Sequence, residues 1–235
     1  MRPYPSGLGE AASSQASRAE AISLAKELND MSSLAFALYL GGILACFERH
    51  PAEVERLVSD LIELSTRYNF AFWLPGANVL RGWARSVSGD MADGIVWIEQ
   101  GIEDYRATGS VAALPMWLAL KAEALHLADR TSEALEAIRE AELQARRFEL
   151  GSWYAELHRL RAVFLAAMGA DEIQIEASSH QNNEAAERRV TNETDRSNLR
   201  GIPRPKNRRV RWAWVQTISW MTYQVRRFAL KGERS

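Results

Sequence analysis

Leu40, Leu80, Leu120 and Leu160 fall forty residues apart in this 235-residue chain, and so do the small residues Gly42, Gly82, Ala122 and Ala162. Val58, Ile98 and Ile138 make another such column, and Leu61, Gly101 and Ala141 a further one. Several columns at one spacing are the mark of an internal repeat. A repeat of this size constrains the fold strongly, because one unit is too small to bury its own apolar face and must stack on its neighbours.

Each unit reads as two helices. The first is strongly apolar and runs over Leu34 to Phe47, Leu74 to Val87, Leu114 to Leu127 and Tyr154 to Met168. The second is amphipathic: Val54, Leu57, Val58, Leu61, Ile62 and Leu64 recur on one helical face. Ile95, Ile98 and Ile102 follow in the next unit, then Leu135, Ile138 and Ala141. Pro51 stands where a helix begins, and Pro75 and Pro115 mark two equivalent first turns. The linking segments Ser88-Gly89-Asp90, Ala128-Asp129-Arg130-Thr131 and Gly169-Ala170-Asp171 are short and polar, so successive helices must run antiparallel. Gly82, Gly89, Gly94 and Gly101 are spaced by seven, five and seven residues. Glycine inside a helix costs roughly 0.5–1 kcal/mol relative to alanine. We therefore expect Gly82 and Gly94 to let the two helices of one unit touch, with Trp83 and Trp97 on the flanks.

The total charge is balanced, 29 Lys and Arg against 30 Asp and Glu, but unevenly placed. Residues 1–181 carry 16 and 25, a net of −9, whereas residues 182–235 carry 13 and 5, a net of +8. The shift marks a boundary. We expect an unstructured N-terminus over 1–12, a helical-repeat domain over 13–178 and a basic tail over 179–235, whose stretch from Asn182 to Asn198 is polar enough to remain disordered. The single Cys46 excludes an intramolecular disulfide and fits a reducing, cytoplasmic setting. No apolar run reaches the ~20 residues of a membrane-spanning helix, so no membrane partner is expected.

The glycine run Gly82…Gly89…Gly94…Gly101, followed by Ala122…Ala134…Ala141, resembles the small-residue signature of tetratricopeptide (TPR) repeats. Glu133-Ala134-Leu135 looks like the opening of a TPR second helix. The segments Ser33–Leu38, Phe72–Ala84, Tyr105–Ser110 and Ala155–Leu165 resemble the C-terminal helical-repeat regions of bacterial adenylate/guanylate cyclases and LuxR-type regulators that carry an AAA-type ATPase module. The resemblance covers about residues 10–178. It implies an all-α, right-handed α-solenoid of TPR-like helix pairs with a period of about forty residues. It also implies a non-catalytic region of a signal-transduction protein that binds a protein, a peptide or a small effector. No GxxxxGK[ST] phosphate loop and no cyclase domain can be read here, and Arg18 to Leu28 looks like a second helix lacking its first. The chain thus reads as a fragment, or a decayed copy, of something longer. The codons of Asp195–Arg204, advanced by one nucleotide, can spell I-E-A-T-Y-A-E-Y-R, close to the end of the resembled region. The tail from about Ser179 is therefore expected to come from a shifted reading frame.

TPR arrays hold partners on the concave face of their first helices, and carrying that over residue by residue places Tyr39, Ile43 and Phe47 in the groove, with Val79, Trp83 and Ser86. Ala119, Glu123 and His126 follow, then Glu156 and Arg159. Aromatic and charged side chains in one row suit recognition. Competing chemistry is thinner. His50, His126, His158 and His180 lack ligand spacing, so no metal or other cofactor is expected. His126 and His158 should lie on partly exposed helix faces. Glu123 and His126 are spaced i, i+3 and would be the acid and base of an enzymatic reading; a solvated or hydrogen-bonded pair is favoured, and no catalytic residue is assigned. Cys46, between Ala45 and Phe47, reads as an inert thiol. An alternative function uses the tail, where Arg204, Lys206, Arg208, Arg209 and Arg211 precede Trp212, Trp214, Trp220 and Tyr223, and Arg226 and Arg227 follow, a mixture suited to single-stranded nucleic acid or to an anionic membrane interface. A truncated product without function is the last alternative.

Overall fold

A computed structural model describes residues 7–148 and 153–169. The tail and the basic–aromatic cluster within it lie outside the described residues. Those described form helices throughout: α1 (Gly7–Glu27), α2 (Met31–Phe47), α3 (Pro51–Arg67), α4 (Leu74–Val87), α5 (Met91–Ala107), α6 (Leu114–Leu127), α7 (Thr131–Arg147) and α8 (Tyr154–Ala167). A 3-10 turn over Ala71–Trp73 precedes α4. Helix α1 already begins at Gly7, so helix also covers residues 7–12, which the sequence assigns to an unstructured N-terminus.

The helix limits follow from local chemistry. Asp30 caps α2, accepting from Ser33 N–H at 3.1 Å and from Ser33 Oγ at 2.7 Å, which starts that helix three residues before its first leucine. Pro51, Pro75 and Pro115 sit in the first turns of α3, α4 and α6. A proline ring clashes with the carbonyl four residues earlier, so α4 cannot extend back through Ala71, and the 3-10 turn takes its place. At the other ends the chain turns through left-handed residues: Asn29, Arg49, Asn69, Gly89, Gly109, Asp129 and Gly169, all on one twenty-residue register. The residue after several of them closes a six-to-one bond to the helix it leaves, as in His50 N–H to Ala45 O at 2.9 Å and Arg130 N–H to Leu125 O at 2.9 Å.

Helices α2, α4, α6 and α8 touch one another from pair to pair, and each of α3, α5 and α7 packs on the first helix before it and the one after it. This layering accounts for the two kinds of sequence. Helix α2 is buried almost continuously from Ser33 to Leu38 and from Gly41 to Cys46, and α6 from Leu114 to Leu120, because neighbours surround them. Helix α3 buries one stripe, Val54, Leu57, Val58, Leu61 and Ser65, and keeps its other side polar. The first helices of later pairs begin at Leu74, Leu114 and Tyr154, and the second helices at Pro51, Met91 and Thr131, each set forty apart.

The closest approach lies between α4 and α5. A β-carbon on Gly82 would fall 2.5 Å from the Gly94 carbonyl oxygen, and one on Gly94 would fall 2.6 Å from the Gly82 carbonyl oxygen. Gly101 is likewise pressed against the Pro75 carbonyl and Val79. Trp97 flanks this contact beneath the guanidinium groups of Arg81 and Arg85, at 5.6 and 5.9 Å. Trp83 turns the other way, toward α6.

Cross-pair ion pairs repeat at the same period. Arg81, Lys121 and Arg161 stand forty apart, and each reaches back to the preceding second helix: Arg81 to Glu55 at 3.2 Å, Lys121 to Glu99 at 2.8 Å and Arg161 to Glu142 at 3.0 Å. The fourth position of that register is Gly41, where Arg18 of α1 fills the space and pairs with Glu48 at 3.2 Å.

Candidate functional site

Apart from His126, the residues expected in the groove divide between two environments. Val79 and Ser86 lie in the α4–α5 contact: Val79 packs on Gly101, and Ser86 Oγ donates to the Gly82 carbonyl at 2.9 Å beside Gly94. Ile43 is buried in the core, and Ala119 is buried in α6. Tyr39 sits in an aromatic group, tilted against Trp73 at 5.1 Å and edge-on to Trp117 at 6.3 Å. Burial, with a smaller push from Tyr105, raises its phenol well above the ordinary tyrosine range. These positions hold the layers together.

Trp83, Glu123, Phe47, Glu156 and Arg159 form the second group, assembled around a residue the sequence reading passed over. Arg49, just past the end of α2, grips Glu123 of α6 with both terminal nitrogens, at 2.7 and 2.5 Å. Trp83 Nε1 of α4 donates to the same carboxylate at 3.0 Å, and the Arg49 guanidinium lies 5.8 Å from the Trp83 ring. Glu123 is therefore held by α4 and by the α2 terminus, with its side chain only 12% exposed. The hydrogen bonds it donates to Glu123 keep the Arg49 guanidinium above its ordinary value, against the opposing effect of burial. One turn into α8, Arg159 grips Glu156 in the same two-pronged way, at 2.9 and 2.7 Å. Phe47 meets Trp153 with ring centres 6.4 Å apart, joining the end of α2 to the start of α8.

His126 stands apart from Glu123 in its bonding. Its Nδ1 lies 3.0 Å from Thr131 Oγ1, and its ring packs on Phe164 at 4.8 Å. Glu123 is committed to Arg49 and Trp83, so the geometry builds no acid–base couple from the two. The expectation for His158 is corrected: it is 2% exposed, between α8 and α7, with Nδ1 3.4 Å from Glu142 Oε1. Burial lowers its pKa, Glu142 opposes the shift, and Arg161 and Arg146 reinforce it. The i, i+4 spacing from Tyr154 to His158 puts both on the buried side, a signal masked by the charged Glu156, Arg159 and Arg161 around them. Cys46 is 4% exposed, and burial pushes its thiol well up, helped by Glu123 and opposed by Arg49. Among the described residues no group of three or more His, Cys, Asp or Glu side chains is placed to hold a metal. Nor, among them, is any helix long and apolar enough to cross a membrane.

One signal could have found Arg49. In the register of left-handed cap positions its companions are Asn, Gly or Asp, which tolerate that conformation, whereas arginine has no local reason to be there.

No known family model matches the chain. A stretch of 97 residues, 41% of the chain, is 35% identical to an uncharacterized protein, R02095, of Rhizobium meliloti (strain 1021). The match spans 9% of that relative's length.

Proposed function

We propose that the described residues form a right-handed TPR-like solenoid that recognises a protein or peptide on the concave face of its first helices, and that this is a sensory, non-catalytic part of a signal-transduction protein. The observation that carries the reading is the edge formed by Arg49, Glu123, Glu156 and Arg159 with Phe47 and Trp153. Three first helices and two aromatic rings converge there, with charges of both signs held in fixed geometry. Such a row offers side-chain anchors and hydrogen-bonding partners to an extended chain laid across it. The resemblance to cyclase and LuxR-type regulators supplies the signalling context, in which binding would bias an attached output domain.

A peptide-display selection against the full-length protein tests this. Selected peptides should lose at least about tenfold in affinity, roughly 1.4 kcal/mol, for the double variant Glu156→Lys/Arg159→Glu. That variant keeps an ion pair within α8 but exchanges its polarity. Peptides that bind both proteins equally, or a selection that enriches none, would overturn the proposal.

A further inference from the structure

We infer that Arg49 is the bolt of a clasp that draws the C-terminal end of α2 across α4 onto α6 and so holds the first-helix layer in a closed arrangement. Its reach sets it apart from the other ion pairs. Arg49 and Glu123 are 74 residues apart and belong to units that are not sequence neighbours, with α4 lying between them. Most of the remaining pairs link one helix to itself or to the next along the chain.

The receiving end is built for the purpose. Glu123 is 12% exposed and is fixed by the indole of Trp83, so the carboxylate is oriented before the guanidinium arrives. The donating end is strained for the purpose: Arg49 has φ +61°, a conformation that asparagine or glycine would adopt at less cost. Two residues earlier, Phe47 carries the same connection on to Trp153 at the head of α8. Glu156 attracts Arg49 and Glu123 attracts Arg159, while Arg49 and Arg159 repel each other, so α8 brings charges of both signs up to the clasp. The Arg49 side chain is 55% exposed, which leaves the bolt open to competing ions from solvent. This inference stands whether or not the inner face binds a partner.

The test uses the full-length chain in a Cys46→Ala background, with spin labels on cysteines placed at the exposed positions Ala52 and Val163. Arg49→Asn separates the two roles of the residue, because asparagine already occupies the equivalent cap at 29 and 69. It should keep the helix end and lose the bolt. At low salt the label separation should lengthen by about 5 Å or more, or its distribution should broaden, in Arg49→Asn and in Glu123→Gln. The unsubstituted protein should move toward the same distribution at about 1 M salt, where the screening length falls to about 3 Å. A distribution in Arg49→Asn that superimposes on the parent would overturn the clasp. So would a parent distribution indifferent to salt, a measurement that does not depend on any clasp variant folding.

Discussion

Replacing Gly82 by alanine puts the helix-contact argument at most risk. In an isolated helix the change is favourable by about 1 kcal/mol, because alanine is the better helix former. Here the new methyl would meet the Gly94 carbonyl oxygen at 2.5 Å, Ile98 Cγ1 at 2.7 Å and the Ile98 backbone nitrogen at 2.8 Å. The nearest of these is about 0.9 Å inside ordinary contact, and two of the three are main-chain atoms of α5 that no rotamer change can move. Helices α4 and α5 must separate, which places the cost near the upper end of ordinary overpacking, about 3 kcal/mol. Set against the propensity gain, the net loss is about 2 kcal/mol, or a midpoint lower by roughly 4–8 °C for a chain of this size. Thermal unfolding followed by far-UV circular dichroism measures it. Gly41→Ala is the matched control, since its methyl would meet the flexible Arg18 side chain, with Cδ at 3.0 Å. That variant should stay within about 1 kcal/mol of the parent. A Gly82→Ala protein as stable as the parent would refute the claim that main-chain contact sets the α4–α5 spacing.

Other outcomes follow from the buried charges and the thiol. His158 is held neutral by burial, so its folded pKa lies below its unfolded value of about 6.5 and the unfolded chain binds the proton more readily. The stability this leaves intact above about pH 6.5 is lost as pH falls through the window beneath it, and His158→Gln should flatten that part of a midpoint-against-pH curve. Arg161→Ala leaves Glu142, 7% exposed, without its closest cation, whereas Lys121→Ala exposes a Glu99 already 47% open to solvent. Urea titrations should therefore show a loss of about 2 kcal/mol or more for the first and less than about 1 kcal/mol for the second. Cys46, buried with a raised thiol pKa, should react with a thiol-specific disulfide reagent slowly in native buffer, through transient opening, and rapidly in denaturant.

Much of the helix pattern was legible in the sequence because local rules wrote it. Leu74 to Val87 and Leu114 to Leu127 are bounded by proline at the start and a left-handed turn at the end, and both signals lie within a few residues of the helix they limit. The glycine pair was legible too, since Gly82 and Gly94 have no reason to interrupt helices except close approach. The edge around Glu123 was only half visible. Trp83 and Glu123 share the forty-residue register and could be paired on paper, but Arg49 joins them across 74 residues from a turn, and no period predicts such a contact. Val79 and Ser86 meet α5 for a related reason: α4 is buried over a wide arc from Pro75 to Ser86, so spacing alone does not say which part of that arc faces α5. His158 misled because the charged residues near it, Glu156, Arg159 and Arg161, suggest an open face that Glu142 covers from the neighbouring helix.

The left-handed residues at twenty-residue intervals make the chain a ruler as well as a wall. Each interval reverses the direction of the chain and moves it from one layer to the other. Removing forty residues would leave every remaining helix in its own layer and its own orientation. Removing twenty would send each downstream first helix into the place of a second one, setting apolar surface toward water. Losing a single residue inside a helix would turn all that follows by ~100° about that helix axis. Length change in such a chain is therefore quantised, and whole pairs are the smallest steps that preserve it.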